Sequence, residues 1–218
     1  MIRVLLADDE AVVRAGLRTI LTSDPELEIV AEAGDGREAV ELAERHRPDV
    51  ALLDIRMPGM DGLAATEAIH RGTPEVGVLV VTTFGEDAYI VQALQMGANG
   101  FILKTADPHG IIDAVRTVAA GGAALSPEVA LRLVAALRSG PMPRWFEAQE
   151  RVVSLAPRER EVLGLLGTGL SNADIGHRLH MAEGTVKGYV SAIFDRLGVE
   201  NRVQAALISY QAGLTPRP

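Results

Sequence analysis

The 218-residue chain contains no cysteine. It therefore has no disulfide framework, no thiolate metal site and no cysteine nucleophile, and every zinc-finger route to DNA is closed. Any nucleophile must be an oxygen or a nitrogen. No uncharged apolar run reaches about 18 residues, and the short apolar start at 2–7 leads directly into Asp8-Asp9-Glu10. That pattern argues against a membrane span or a signal peptide and for a cytoplasmic protein. Internal repeats and low-complexity tracts are also missing. What is there has globular composition, 48% hydrophobic and 23% charged, at a length that accommodates one large or two small domains.

Charge of one sign is scarce in one part of the chain. The formal net charge is −8, yet residues 151–218 hold eight Lys or Arg against six Asp or Glu, while residues 1–150 hold thirteen against twenty-three. A slightly positive C-terminal portion beside a strongly acidic N-terminal one suits a small nucleic-acid module joined to a domain that repels nucleic acid.

Short β-branched apolar runs alternate with longer amphipathic ones through the first half. Strands are predicted at 3–7, 29–33, 50–54, 76–82 and 100–103, and helices near 12–21, 37–45, 63–70, 87–95 and 108–120. Five strand-then-helix repeats imply an α/β doubly wound, five-stranded parallel sheet covered on both faces, because each right-handed crossover returns the chain to a parallel neighbour. Ligands on such sheets sit at the carboxyl ends of the strands.

Three carboxylates fall at those ends: Asp8 and Asp9 after the first strand, and Asp54 at the end of the third. If these strands are neighbours, the three anions converge and repel unless a cation lies among them. An all-oxygen, carboxylate-rich site suits Mg²⁺. Thr82 ends the fourth strand and Lys104 follows the fifth. A lysine neutralises a phosphoryl group as a point charge, and a hydroxyl donates a hydrogen bond to it. Carboxylate nucleophile, metal, lysine and hydroxyl together make a phosphoryl acceptor.

Residues 1 to about 120 resemble a response-regulator receiver domain. Asp8-Asp9, the run Leu52-Leu53-Asp54-Ile55-Arg56-Met57-Pro58-Gly59-Met60-Asp61-Gly62, the pair Thr82-Thr83 and Phe101-Ile102-Leu103-Lys104 match that family in order and spacing. The resemblance implies a flavodoxin-like fold, phosphorylation of Asp54, and Mg²⁺ arranged by Asp8, Asp9, Asp54 and the Arg56 carbonyl. It also implies a switch formed by Thr82 and Phe101, in which Phe101 moves inward as Thr82 is drawn to the phosphoryl group. Asp61 and its neighbours read as a turn leading into a helix, with no chemistry assigned.

After Gly121-Gly122, Ser126-Pro127 starts a helix to about 138. Residues 139–154, with Gly140, Pro141 and Pro143, read as linker, although Trp145-Phe146 is unusual for one and its exposure cost points to docking on a domain. The remainder offers four short helices, the second opened by a capping box at Ser171 to Asp174. The expected organisation is thus a receiver over 1–121, a linker over 122–153 carrying the helix at about 126–138, and an all-α, four-helix DNA-binding domain over 154–215.

Residues 154–213 resemble the LuxR-type helix-turn-helix, through Leu155 to Leu163, Gly169 to Ile175, Glu183-Gly184-Thr185-Val186-Lys187 and Arg196-Leu197-Gly198-Val199. The whole chain is thereby similar to NarL/FixJ-type response regulators. In a helix-turn-helix the second helix, here 184–197, enters the major groove. Thr185, Lys187, Gly188, Ser191 and Arg196 are the candidate DNA contacts. Lys187 could read guanine or meet a phosphate, while Thr185 and Arg196 suit phosphates better. Gly188 and Tyr189 depart from the family's usual residues. Ala156 and Ala182 stand where the family often places a Ser or Thr N-cap.

The resemblance implies a sensor histidine kinase as phosphodonor, double-stranded promoter DNA as target, a homodimer on phosphorylation or DNA binding, and RNA polymerase as a further partner. It implies no enzyme beyond acceptance and slow hydrolysis of the chain's own aspartyl phosphate. Two alternatives stand beside it: a phospho-independent DNA-binding regulator, and an aspartyl-phosphate phosphohydrolase. The phosphohydrolase commonly needs a second Asp two residues after the nucleophile, where this chain has Arg56.

Overall fold

The computed structural model describes residues 1–83, 87–139 and 152–215; Trp145-Phe146 lies outside them. Two compact units emerge, one of Met1–Ala119 with Ala124–Arg138, the other of Ala120–Ala123 with Ser139–Pro218.

The first unit runs β1 (Ile2–Ala7), α1 (Ala11–Thr22), β2 (Leu27–Ala33), α2 (Gly36–His46), β3 (Val50–Leu53), α3 (Gly62–Gly72), β4 (Gly77–Thr82), α4 (Asp87–Gln95), β5 (Gly100–Leu103), α5 (Pro108–Ala119), β6 (Ala124–Leu125) and α6 (Pro127–Ser139). All pairings are parallel, in the order β2-β1-β3-β4-β5-β6. The five expected strands are present, and a sixth of two residues joins them. It falls inside the segment read as linker, where Ala124 and Leu125 pair with Gly100 and Phe101. Two residues are too short to show periodicity, which is why the sequence does not announce this strand.

Central strands β1, β3, β4 and β5 are buried nearly throughout, as a sheet covered on both faces requires. One core cluster packs Val4, Leu6, Leu52, Leu79 and Val81 of the strands against Leu17 and Leu21 of α1 and Ile111 and Val115 of α5.

The second unit holds α7 (Pro157–Leu166), α8 (Asn172–Leu179), α9 (Glu183–Leu197) and α10 (Arg202–Gln211). Its core joins Val162, Leu163 and Leu166 of α7, Ile175 of α8, Val186, Val190, Ile193 and Leu197 of α9, and Ala205 and Ile208 of α10. Ser171 caps α8 by accepting from the Asp174 N–H at 3.1 Å, and the Asp174 carboxylate accepts from the Ser171 N–H at 3.2 Å. Ala156 has no oxygen to cap α7, but Glu159 reaches back to accept the Ala156 N–H at 2.8 Å, which is half of a capping box. Ala182, at the start of α9, makes no side-chain cap.

The α8–α9 turn folds tightly over Gly176. The Met181 N–H donates to the Gly176 carbonyl at 2.8 Å, and a Cβ on Gly176 would stand 2.7 Å from the Met181 carbonyl oxygen.

Candidate phosphoryl-acceptor site and DNA-binding helix

Sheet register brings the acidic residues together. Ala7 pairs with Leu53, and the Asp54 N–H donates to the Ala7 carbonyl at 2.9 Å. Asp8 and Asp54 therefore leave the ends of adjacent strands. Thr82 pairs with Leu103, and the Lys104 N–H donates to the Thr82 carbonyl at 2.8 Å. Four of the residues singled out from the sequence thus share one edge of the sheet.

Lys104 bridges the two carboxylates. Its Nζ lies 2.5 Å from Asp8 Oδ2 and 3.1 Å from Asp54 Oδ2. Asp8 is fully buried and Asp54 nearly so. Burial works against the Lys104 charge, but the hydrogen bond to Asp8 and the charge of Asp54 outweigh it and hold the ammonium above the ordinary lysine range. Burial pushes the Asp54 carboxyl up, and Lys104 opposes that push. The second oxygen of Asp8, Oδ1, accepts from the Glu10 N–H at 2.9 Å.

The donor chemistry fits a hard cation. Among the described residues, Asp8, Asp9 and Glu10 form one group whose ligand atoms all lie within 4.8 Å of one another. Oxygen-only donors of this charge suit Mg²⁺. Glu10 joins the two aspartates expected here, its only sequence signal being its place as the next acid in the run. Asp54 is not a member of this group and is joined to Asp8 through Lys104. Arg56 lies exposed in the loop after β3.

That loop is pinned by Gly62 and Asp61. The Gly62 N–H donates to the Ile55 carbonyl at 2.9 Å. A Cβ on Gly62 would stand 2.8 Å from the Asp54 carbonyl carbon, 2.9 Å from Ile55 Cα and closer still to the Asp54 carbonyl oxygen. Asp61 caps α3, accepting the Ala64 N–H at 2.8 Å, which is the structural part expected of it.

Thr82 is buried, and Phe101 has no exposed surface. The resemblance implies an inward movement of Phe101, but here the residue is already fully buried, on the strand next to β6. Its neighbour across the strands is Leu125, inside the segment expected to be linker.

On α9, the apolar Val186, Val190, Ile193 and Leu197 are buried, whereas Thr185, Lys187, Gly188, Ser191 and Arg196 are exposed. A Cβ on Gly188 would meet open space. Two of the cations have partners within the module. Lys187 Nζ lies 3.0 Å from Glu183 Oε1 one turn earlier. Arg196 Nη1 lies 3.2 Å from the buried Glu159 Oε2 of α7. The Arg196 pair could not be read from sequence, because it joins helices that are far apart in the chain.

Two family models match separate parts of the chain. The response regulator receiver domain model matches residues 4–116, and the model of bacterial regulatory proteins of the luxR family matches residues 153–209. The chain is 39% identical over 218 residues to the transcriptional regulatory protein LnrK of Bacillus subtilis (strain 168), covering 99% of each. It is 38% identical over 209 residues to the DNA-binding transcriptional activator DevR/DosR of Mycobacterium tuberculosis (strain ATCC 25618 / H37Rv), covering 96% of this chain and 94% of that one. Among solved structures it resembles the response regulator ChrA of a heme-sensing two-component system, at 38% identity, 98% coverage of both chains and a TM-score of 0.55. With a receiver fold carrying clustered acids at its strand ends and a helix-turn-helix module after it, the chain belongs to the two-component response regulators that join a receiver domain to a LuxR-type DNA-binding domain.

Proposed function

We propose that Asp54 accepts a phosphoryl group from a sensor histidine kinase, and that this modification controls homodimerisation and sequence-specific binding to double-stranded promoter DNA in the cytoplasm. The observation that carries the reading is Lys104, whose ammonium lies between Asp8 and Asp54 at the carboxyl edge of the sheet. In the transfer, an Asp54 carboxylate oxygen forms a bond to phosphorus while the donor's P–N bond breaks, and the departing imidazole keeps the electron pair. With acetyl phosphate the bond broken is P–O. Lys104 offers a point charge to the phosphoryl oxygens, and the Thr82 hydroxyl a hydrogen bond. In this reading Asp8, Asp9, Asp54 and the Arg56 carbonyl hold Mg²⁺, with Glu10 beside them. When bound, the ion neutralises charge developing on the transferred group.

Thr82 and Phe101 form the switch. Both side chains are already buried, so displacement of Thr82 must be taken up by repacking around the ring. Hydrolysis of the aspartyl phosphate is slow, because Arg56 stands where a phosphohydrolase would place its acid and base. Thr185, Lys187, Gly188, Ser191 and Arg196 meet the operator, the cations exchanging Glu183 and Glu159 for DNA, and RNA polymerase is the further partner. Residues 1–121 serve as receiver, 122–153 as a linker whose stretch Ala124–Arg138 packs with the receiver unit, and 154–215 as the DNA-binding domain; the family matches at 4–116 and 153–209 support two separate modules.

The test is DNA-fragment binding and solution mass on one sample, with and without acetyl phosphate and Mg²⁺. Phosphodonor is expected to raise both in the parent and neither in Asp54→Asn. High affinity and mass that ignore Asp54 would leave DNA binding standing and remove the phospho-switch.

A further inference from the structure

Asp8 is held through four polar atoms, and three are accounted for above or by the sheet. Its N–H donates to the Ala33 carbonyl of β2 at 3.2 Å, its Oδ1 accepts from Glu10 and its Oδ2 faces Lys104. The fourth contact has no part in sheet pairing or in the phosphoryl pocket. Arg14, one turn into α1, donates from Nη1 to the Asp8 carbonyl at 2.6 Å. Its side chain is 22% exposed, and its Nε lies 3.7 Å from Glu32 Oε2 on β2. Glu32 is engaged in turn by Arg18 of the same helix. The guanidinium therefore ties the Asp8 peptide to both α1 and the end of β2.

We propose that Arg14 is a positioning residue for the acidic β1–α1 loop, fixing the Asp8 peptide plane so that Asp8, Asp9 and Glu10 present their oxygens together to a divalent cation. The inference rests on the phosphoacceptor reading above. Three acids whose oxygens lie within 4.8 Å repel one another before any cation arrives, and a loop free to turn at Asp8 would spread them. A guanidinium suits the task, because one planar group hydrogen-bonds the Asp8 carbonyl while its charge lies at ion-pair distance from the Glu32 carboxylate. Glu32, shared with Arg18, offsets part of the positive charge that the two guanidiniums bring beside the loop. Without it, that charge would disfavour more strongly the cation Arg14 helps to receive.

Two physical accounts of Arg14 thus predict opposite signs. If Arg14 acted only through its charge, removing it would tighten cation binding. If it positions the loop, removing it weakens binding, and outer-shell partners of this kind typically alter metal affinity by about 10–100-fold.

The experiment is calorimetric titration of the full-length chain with Mg²⁺ in the absence of phosphodonor, for the parent, Arg14→Met, Arg14→Lys and Glu32→Gln. Arg14→Met is expected to bind Mg²⁺ at least about 10-fold more weakly, with Arg14→Lys recovering part of the loss and Glu32→Gln shifting affinity in the same direction by less. Labelling of Asp54 by acetyl phosphate should then require more Mg²⁺ for half-maximal rate while the rate at saturating Mg²⁺ stays near the parent's. Parental or tighter Mg²⁺ binding in Arg14→Met overturns the proposal. Should Arg14→Met fail to fold, parental affinity in both Arg14→Lys and Glu32→Gln does the same. A parent that neither binds Mg²⁺ nor is labelled would instead sink the phosphoacceptor reading itself, and this proposal with it.

Discussion

Replacing Gly62 with alanine asks whether the phosphoryl pocket depends on one missing methyl group. The added Cβ would stand 2.8 Å from the Asp54 carbonyl carbon and 2.9 Å from Ile55 Cα. These neighbours are backbone atoms, so no side chain can swing away. The Gly62 N–H is bonded to the Ile55 carbonyl, and relieving the clash means prying α3 from the end of β3. Bringing the contacts back to ordinary separation needs a displacement of more than about 1 Å in the segment carrying Asp54, and misplacement of even that size can cost on the order of 100-fold in rate. Overpacking of this kind costs about 1–3 kcal/mol, which lowers the thermal midpoint of a domain by several degrees. The assay follows Asp54 labelling by acetyl phosphate and thermal unfolding by circular dichroism, with Gly16→Ala as control. A Cβ at Gly16 meets nothing within 4 Å, so on α1 that change is expected to stabilise by about 0.5–1 kcal/mol without touching labelling. Gly62→Ala that labels at the parental rate and melts at the parental temperature would refute the reasoning.

Two further outcomes concern the DNA-binding module. Ser171→Ala should destabilise α8 by about 1 kcal/mol, read from hydrogen exchange of its amides. The Ser171 hydroxyl, and then its N–H, hold the Asp174 carboxyl below the ordinary range. That contribution is present above the unfolded carboxylate pKa and is lost as pH falls through the lowered folded value, so the variant should show a flatter acid limb; an unchanged limb would deny the coupling. Lys187→Gln should relax selection at one base pair of the operator by about 1–3 kcal/mol. Uniform weakening across all sequences, with a salt slope reduced by about one, would make Lys187 a phosphate contact instead.

Much of the site was legible because a parallel sheet converts sequence order into position. Asp8, Asp54, Thr82 and Lys104 each follow or end a β-branched run, and register alone carries them to one edge. Local signals were equally readable: the Ser171 cap, and Asp61 leading into α3, depend on residues three apart. Contacts between distant segments were not. Gly62 reads in sequence as a residue permissive for a turn, but its role is to leave room for the Asp54 carbonyl, a demand set by how α3 docks. Arg196 reads as a free cation for phosphate until Glu159, 37 residues earlier, is folded beside it. The strand β6 is too short for any pattern, yet it sits next to Phe101 and changes what surrounds the expected switch.

The contact at Gly176 bears on how the recognition helix is aimed. The α8–α9 turn closes so tightly that only a hydrogen atom fits between Gly176 and the Met181 carbonyl. Any side chain there would wedge the two helices apart and swing α9 about its N-terminal end, where Thr185 and Lys187 stand. The tilt of α9 against α8 is therefore decided inside α8, several residues before the turn, by a hydrogen atom on Gly176. If α9 is the helix that enters the groove, its angle of approach is set by a residue outside α9 itself.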